Sequence, residues 1–343
     1  MHTPPDIFSI KTIRVAVRRI CVMVVAATAM IWAPEAMAQT DTQFTQYYEV
    51  ATFYNPAATG RTDSLRMRAG GRMQWVGIDN APQTFIFAAD MPFKLGKHRI
   101  GVGAYGDGES MGLYSSLNAG AQLSYKLRKL GGEFSVGLTV GMYDQKFKGS
   151  EVFIPDNDDY HHSTDDAIPT RDIHGTALDL GLGVWYTRRN IWAGLSCTHL
   201  TSPAITMKSE GTESSGQAYE YEFQAARTLY LMGGGNIQLK NTLFELLPSV
   251  MVKSDFTFTT GEATLRARYN RFLLFGAGYR WQDAVYVTIG AELKDFYVGY
   301  AFDFPTSVLA GASAGSHEVF LGYSMKLDLS DKNKNRHKSI RIM

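Results

Sequence analysis

The sequence predicts an all-β fold: a single transmembrane antiparallel β-barrel of about 14 strands, with its N- and C-terminal segments in the periplasm. Three observations predict it. An export segment opens the 343-residue chain. Runs of about ten residues or more then alternate between apolar and small or polar side chains, the length that a tilted membrane strand needs. The connections between these runs fall into two sets, one short and basic, the other longer.

Residues 1–38 read as a signal peptide. Arg14, Arg18 and Arg19 form a basic n-region. Ile20 to Ala33 make an apolar stretch of about fourteen residues, within the h-region range and short of the roughly twenty that a spanning helix needs. Ala36-Met37-Ala38 fits the cleavage pattern, so Gln39 is expected as the new N-terminus. Arg18-Arg19 resembles a twin-arginine pair, but its surroundings favour ordinary secretion. Cys21 lacks a lipobox and leaves with the signal peptide. Cys197 then stands alone, so no intramolecular disulfide can form. A formal net charge of +1 argues against a nucleic-acid partner.

The alternation recurs along the chain. Leu178, Leu180, Leu182, Val184 and Tyr186 interleave with Asp179, Gly181, Gly183 and Trp185. Phe134 to Tyr143 and Val285 to Leu293 repeat the pattern. A soluble sandwich alternates too, but its strands are usually five or six residues long. Trp75, Trp192, Tyr279, Trp281 and Tyr297 collect near strand ends, as aromatic girdles do. In lipid an open sheet edge leaves backbone groups unpaired, so the sheet must close. The expected strands are 63–77, 83–93, 98–107, 112–128, 131–147, 174–187, 190–199, 219–240, 241–255, 256–268, 271–281, 284–293, 295–304 and 317–328.

The turns order these strands. Lys94 to Lys97, Arg128 to Gly132, Thr187 to Asn190, Tyr269-Asn270 and Lys294-Asp295 are short, and most carry a basic residue. Segments 148–173, 200–218 and 305–316 are longer. Short turns face the periplasm in such barrels and longer loops face outward. Composition is uniform from 63 to 328, which gives one barrel domain over 63–328. Residues 39–62, with Tyr47, Tyr48, Phe53 and Tyr54, are expected at the periplasmic mouth as a plug or docking element. Residues 329–343 read as a basic periplasmic tail.

Residues with chemical potential are few. In GSHEVFLGY (315–323) the metalloprotease helix would need a second His where Leu321 stands, so that motif fails. Val319, Leu321 and Tyr323 instead form one face of a strand, with Glu318, Phe320 and Gly322 on the other. His317 and Glu318 therefore point to opposite sides and cannot share a substrate atom. They are expected to pin loop 305–316 and the seam between last and first strands, or to touch a partner. Arg66, Arg68, Arg72 and Gln74 share the inner face of the first strand. Buried charges need partners, and Glu318, Asp303 and Glu292 are the candidates. This ladder either stiffens the wall or grips an acidic peptide or C-terminal carboxylate. Segment 156–166 (DNDDYHHSTDD) fails the EF-hand pattern, since His161 and Ala167 occupy its Gly and Glu places; a solvated external loop is expected.

Several of these stretches occur together in a distinctive way. Gln46-Tyr47, Asn55-Pro56-Ala57 and Gly60 precede the first strand. Arg72-Met73-Gln74-Trp75-Val76-Gly77 ends it, followed by Ala81-Pro82-Gln83-Thr84. Tyr300 to Ser307, including Asp303, Pro305 and Ser307, leads to Gly315-Ser316-His317-Glu318. In this combination the sequence resembles the PorP/SprF family of outer-membrane proteins of the type IX secretion system. The motifs lie at both ends of the mature chain; roughly 100–270 carries none. The resemblance implies a cell outer-membrane location, no enzymatic activity and no cofactor or metal. It also implies work with the secretion machinery, which in some bacteria drives gliding motility. The implied partners are periplasmic components of that system and a secreted surface protein, bound, anchored or helped in export through its C-terminal domain. It leaves open a general machine part versus a dedicated client adaptor.

The candidate partner-binding set is Asn55, Pro56, Ala57, Gly60, Arg66, Arg68, Arg72, Gln74, Trp75, Gly77, Pro82, Thr84, Asp303, Pro305, Ser307, Gly315, His317 and Glu318. Two other classes compete. A hydrophobic-solute or passive channel would use the same barrel with an open lumen. An outer-membrane hydrolase would need Ser, His and an orienting group together, and Ser196, Thr198 and His199 offer this only faintly.

Overall fold

The computed structural model describes residues 41–96, 98–129, 131–153, 169, 171–209 and 219–328. The export segment, the acidic stretch 156–166 and the basic tail 329–343 lie outside them.

Seventeen strands follow the chain: β1 (64–73), β2 (83–95), β3 (98–111), β4 (114–129), β5 (132–147), β6 (173–188), β7 (191–198), β8 (204–209), β9 (219–224), β10 (228–235), β11 (237–238), β12 (244–254), β13 (259–269), β14 (273–280), β15 (284–293), β16 (296–305) and β17 (316–326). Fourteen of them close into an antiparallel barrel: β1 to β7, β10 and β12 to β17, each paired with its neighbour in sequence, with β7–β10 and β10–β12 bridging the interruptions. β1 pairs with β17 from Ser64↔Lys326 to Met73↔His317, which seals the wall. Every barrel strand thus has a ladder partner on each side, which closes the sheet edges as standing in lipid requires.

Alternation dictates what each face meets. Phe85, Phe87, Leu138, Val140, Leu265, Val287, Ile289 and Leu321 point away from the lumen and are exposed. An apolar band of this extent on a free surface marks a lipid-facing wall. The inner face of the same strands carries buried polar and charged groups, among them Arg72, Gln122, Asp179, Glu262, Arg280, Asp303 and Glu318. No helix among the described residues is long and apolar enough to cross a membrane.

Short turns gather at one rim, at 96, 131, 189–190, 270–272 and 294–295. The opposite rim holds the segments 74–82, 148–153, 171–172, 199–203, 225–227 and 306–315. The expected strand over 219–240 is in fact three elements, β9, β10 and the short β11. Residues 219–224 form β9, which pairs only with β8 in a separate hairpin, and the barrel strand begins at Thr228. The hydrophobic side of this hairpin decides its place. Ile205 and Met207 bury against Ile173, Tyr143 and Phe147, on the lumen-side face of β5 and β6 where those strands rise past the shorter β7. The first strand also ends earlier than expected, at Met73, because Trp75 takes a left-handed backbone (φ 50) that breaks the pleat.

Two aromatic residues expected in the outer girdles are lumen residues. Trp192 stacks on Trp185 inside the wall, with ring centroids 4.7 Å apart. Tyr297 is buried and donates its hydroxyl to Gln46 Oε1 at 2.9 Å. Tyr279 and Trp281 do face outward. Proximity to a strand end does not specify the face; parity along the strand does.

Candidate functional site

The feature that sets this barrel apart is what fills it. Residues 41–60 do not rest at one mouth, where the sequence suggested a plug or docking element. They run through the lumen, from the long-loop end at Asp41 to the short-turn end at Gly60. Phe44, Thr45, Gln46, Tyr47, Tyr54, Asn55, Ala57, Ala58 and Thr59 have no exposed surface. The segment contains one turn of α-helix, α1 (51–54), and a 3₁₀ turn over 56–58. Its aromatic side chains merge with wall residues Ile86, Trp185, Tyr230, Met232, Met251, Tyr297 and Phe320 into one hydrophobic core. The chain therefore supplies its own lumen contents, and burial of these rings drives the docking.

Polar groups fix the register of this insert at four levels. At the long-loop end, the Asp41 carboxylate accepts hydrogen bonds from the Tyr230 hydroxyl (2.7 Å) and Thr198 (3.0 Å), while Lys253 donates to the Asp41 carbonyl at 2.8 Å. His199, just past β7, lies between Asp41 (2.9 Å) and Asp179 (3.1 Å). Burial alone would lower the imidazole pKa, but the two carboxylates outweigh it and push it up to about 11. The ring is therefore a paired cation at neutral pH.

At the next level, Thr45 sits among two guanidiniums and two carboxylates. Arg72 donates to Thr45 Oγ1 (2.7 Å), Asp303 (2.8 Å) and Glu318 (3.3 Å). Arg280 donates to Thr45 Oγ1 (2.9 Å) and Asp303 (3.0 Å), and to Glu262 at 3.2 Å. Glu318 spends both oxygens on the insert, accepting from the backbone amides of Thr45 (2.7 Å) and Gln46 (2.8 Å). Such charge-assisted bonds in a buried site are short and strong.

Lower down, Glu49 of the insert pairs with Arg68 (3.0 Å) and Arg266 (3.5 Å), and the Glu49 carbonyl accepts from Arg66 at 3.3 Å. Arg266 also lies over the Tyr48 ring, 3.3 Å from its centroid. At the base, Asn55 Oδ1 accepts from the Ala57 amide (2.9 Å) and Asn55 Nδ2 donates to the Val184 carbonyl (3.1 Å). The Asn-Pro-Ala turn lies so close to the wall that a Cβ on Gly183 would fall 2.1 Å from Asn55 Oδ1, and one on Gly137 2.3 Å from the Ala57 nitrogen. Gly60 turns the chain into β1 with φ +63, and its amide donates to Asp90 at 2.8 Å. Asn55→Ala strands a buried amide and a buried carbonyl, so it is expected to cost about 1–3 kcal/mol, read as a lower denaturant midpoint of the refolded protein.

The candidate residues separate into two groups. Asn55, Pro56, Ala57, Gly60, Arg66, Arg68, Arg72, Asp303 and Glu318 form the insert or hold it. The rest shape the long-loop rim. The Gln74 amide donates to the Pro82 carbonyl (2.9 Å), the Trp75 amide to Ser316 Oγ (3.1 Å), and the Val76 amide to the Gly315 carbonyl (2.8 Å). Gly315 has φ +109 and Gly77 has φ +100, so both turns rely on glycine. Ser307 precedes a short 3₁₀ turn just past Pro305. Thr84 donates to Glu109 at 3.3 Å.

Two expected contacts are corrected. Glu318 does not pin loop 305–316; its side chain points inward to the insert, and the backbone of 75–76 and 314–316 ties the loops together. His317 points outward and contacts the Tyr300 hydroxyl at 2.7 Å. Glu292 makes its direct ion pair with Arg268, at 3.4 Å, and meets Arg66 and Arg68 of the first-strand ladder only at longer range. Ser196 donates to the Tyr54 carbonyl at 2.7 Å and so also serves the insert. Thr45, Glu49, Arg266 and Arg280 escaped the sequence reading. The signal for the first two was a run of aromatic residues with no strand periodicity, which has nowhere dry to go except the lumen.

Comparison with known proteins decides the family. The family model for the type IX secretion system membrane protein PorP/SprF matches residues 36–323. This chain belongs to the PorP/SprF family. It is a type IX secretion system membrane protein with an outer-membrane β-barrel fold, in a family not known to be catalytic. No curated protein sequence matches it. Among solved structures it is similar to the Ralstonia pickettii toluene transporter TbuX, with TM-score 0.50, 11% identity, and coverage of 82% of this chain and 94% of that one. The P. putida toluene transporter TodX gives 0.46, 11%, 80% and 93%. The Acinetobacter baumannii outer membrane protein Omp33 gives 0.41, 8%, 77% and 98%. At such identities the likeness to TbuX is one of fold. In this PorP/SprF protein the family match extends over the whole lumen insert and all but the last residues of the barrel, so both are part of one family unit.

Proposed function

We propose that this PorP/SprF protein is a binding scaffold of the type IX secretion system in the outer membrane. It holds a secreted surface protein through that protein's C-terminal domain, and docks periplasmic components of the machine at its short-turn rim. The observation that carries this reading is the occupied lumen. A barrel whose interior is packed with its own buried, hydrogen-bonded segment is poorly built to pass solutes, and work for it lies at its rims. The long-loop rim offers a rigid platform, because Val76 is tied to Ala314 and Gly315 by backbone hydrogen bonds, Trp75 to the Ser316 hydroxyl, and the β8–β9 hairpin is seated on a hydrophobic cluster. Signal-peptide cleavage after Ala38 and periplasmic placement of the 329–343 tail belong to the same proposal.

An affinity tag on the C-terminal tail, with gentle solubilisation of the outer membrane, tests it. A surface protein bearing a secretion-type C-terminal domain is expected to copurify. Recovery of periplasmic machine components without such a client would assign a general structural role. Recovery of neither, together with solute-dependent conductance of the purified barrel, would overturn the scaffold reading in favour of a channel.

A further inference from the structure

A feature of the outer wall is unused by this reading. On the lipid-facing side of β10 to β14, two shallow depressions meet at Pro248. One, of about 520 Å³, lies over Ala263 and Ala277, between Val250, Leu265 and Tyr279. The other, of about 430 Å³, lies over Gly235 between Ile191 and Ile237, and reaches Asn190 and Gln238 at the short-turn rim.

The sequence explains the groove. Pro248 has no backbone N–H, and the β10–β12 ladder, regular through Gly234↔Ser249, lapses beside it and resumes at Ile237↔Leu246 in the same register. Ala263 lies opposite Val250 and Tyr279, and Ala277 opposite Leu265, so small residues line a trough between large ones. The trough crosses neighbouring strands from the short-turn rim and is lined by apolar side chains in the part farthest from that rim.

Its mouth is charged. Arg188 and Arg189 immediately precede Asn190, Lys240 follows Gln238 by two residues, and Arg271 lies in the next turn around the rim. All four are exposed, and none has an ion-pair partner among the described residues. By contrast, Arg268, one strand inward, is neutralised by Glu245 and Glu292. Cations placed at headgroup level above an apolar trough fit one amphiphile, a lipid with a negative headgroup. An acidic protein would be met by a charged patch, without a furrow running down the membrane face below it.

We infer that the β10–β14 face holds an anionic glycerophospholipid. Its phosphate rests among Arg188, Arg189 and Lys240, and an acyl chain lies past Pro248 over Ala263 and Ala277. This stands independently of which protein the rims bind.

The test uses the delipidated full-length mature protein in detergent, offered phosphatidylglycerol or phosphatidylethanolamine of identical acyl chains, with retained lipid counted by native mass spectrometry. Phosphatidylglycerol is expected to be retained at least about tenfold better, since each surface cation adds about 1 kcal/mol of attraction to an anionic headgroup. The triple variant R188Q/R189Q/K240Q should abolish the preference. Ala277→Leu, on the outer face and remote from the insert, should reduce retention of both lipids by filling the trough. Equal retention of the two lipids by the wild type would overturn the inference. So would unchanged selectivity in the triple variant.

Discussion

Replacing Arg72 by alanine is expected to destabilise the folded barrel by about 3–5 kcal/mol, the range found when one partner of a buried ion pair is removed. The reason is the charge inventory around Thr45. Arg72 touches Asp303, Glu318 and Thr45 at once, and its side chain is only 2% exposed. Without it, Asp303 retains Arg280 and Thr45, whereas Glu318 retains only the Thr45 and Gln46 amides. A carboxylate so deeply buried, with no cation beside it, carries a large desolvation penalty. Arg72→Lys should recover part of the loss, because an ammonium supplies charge but cannot reach three acceptors in the planar fork of a guanidinium. Urea unfolding in lipid vesicles, followed by tryptophan fluorescence, reads the difference. A loss below about 1 kcal/mol would mean that Arg280 alone neutralises the cluster. Thr45→Val separates the contributions: it deletes the shared hydroxyl and leaves every charge in place.

Much of the barrel was legible because its physics is local. Side-chain parity along a strand is fixed by the pleat, so Val285, Val287 and Ile289 had to share a face, and the lipid side follows from which face is apolar. Closure follows from the same hydrogen-bond requirement for every strand. Strand count survived because the turns are chemically marked. The one serious misreading, a single strand over 219–240, has a clear cause. Residues 219–224 alternate as well as any barrel strand, but period two reports a pleated ribbon with one dry face, not what covers that face. Tyr221 and Phe223 turn toward the β5–β6 extension instead of lipid.

The site was half legible. The inner placement of Arg66, Arg68, Arg72 and Glu318 follows from parity, and Asp303 could be named as a partner because β16 and β17 had to be adjacent. What the arginines hold could not be read. Thr45 and Glu49 lie in a segment with no periodicity, and their partners are separated from them by as many as 273 residues in sequence. Glycine was the overlooked clue. Gly137 and Gly183 face each other across β5 and β6, and both sit where a side chain would collide with the Asn-Pro-Ala turn. Small residues on the inner face of a wide barrel are a cast of whatever lies against them.

That cast leads to the prediction with the largest effect: deleting residues 41–60 should turn a silent barrel into a conducting pore. The wall itself should survive the deletion, because all fourteen strands keep their ladder partners and the inner face that would be uncovered is rich in polar and charged groups that water can solvate. The insert's aromatic core would be lost, so the variant should be less stable than wild type yet still folded, as heat-modifiable migration on a gel can verify. In planar bilayers the full-length protein should give no resolvable current steps and the deletion variant stable ones. A synthetic peptide of residues 39–60 added to the open barrel should close it again, since Glu318, Arg72 and Arg68 bind the insert through contacts that do not depend on its covalent link to β1. Closure should weaken when the peptide carries Glu49→Gln, which removes the carboxylate paired with Arg68 and Arg266. Steady conductance from the intact protein would show that the insert leaves a water path beside it, and the scaffold reading would then lose its main support. A silent deletion variant that is demonstrably folded would show instead that the β8–β9 hairpin and the 306–315 loop can close the long-loop mouth by themselves.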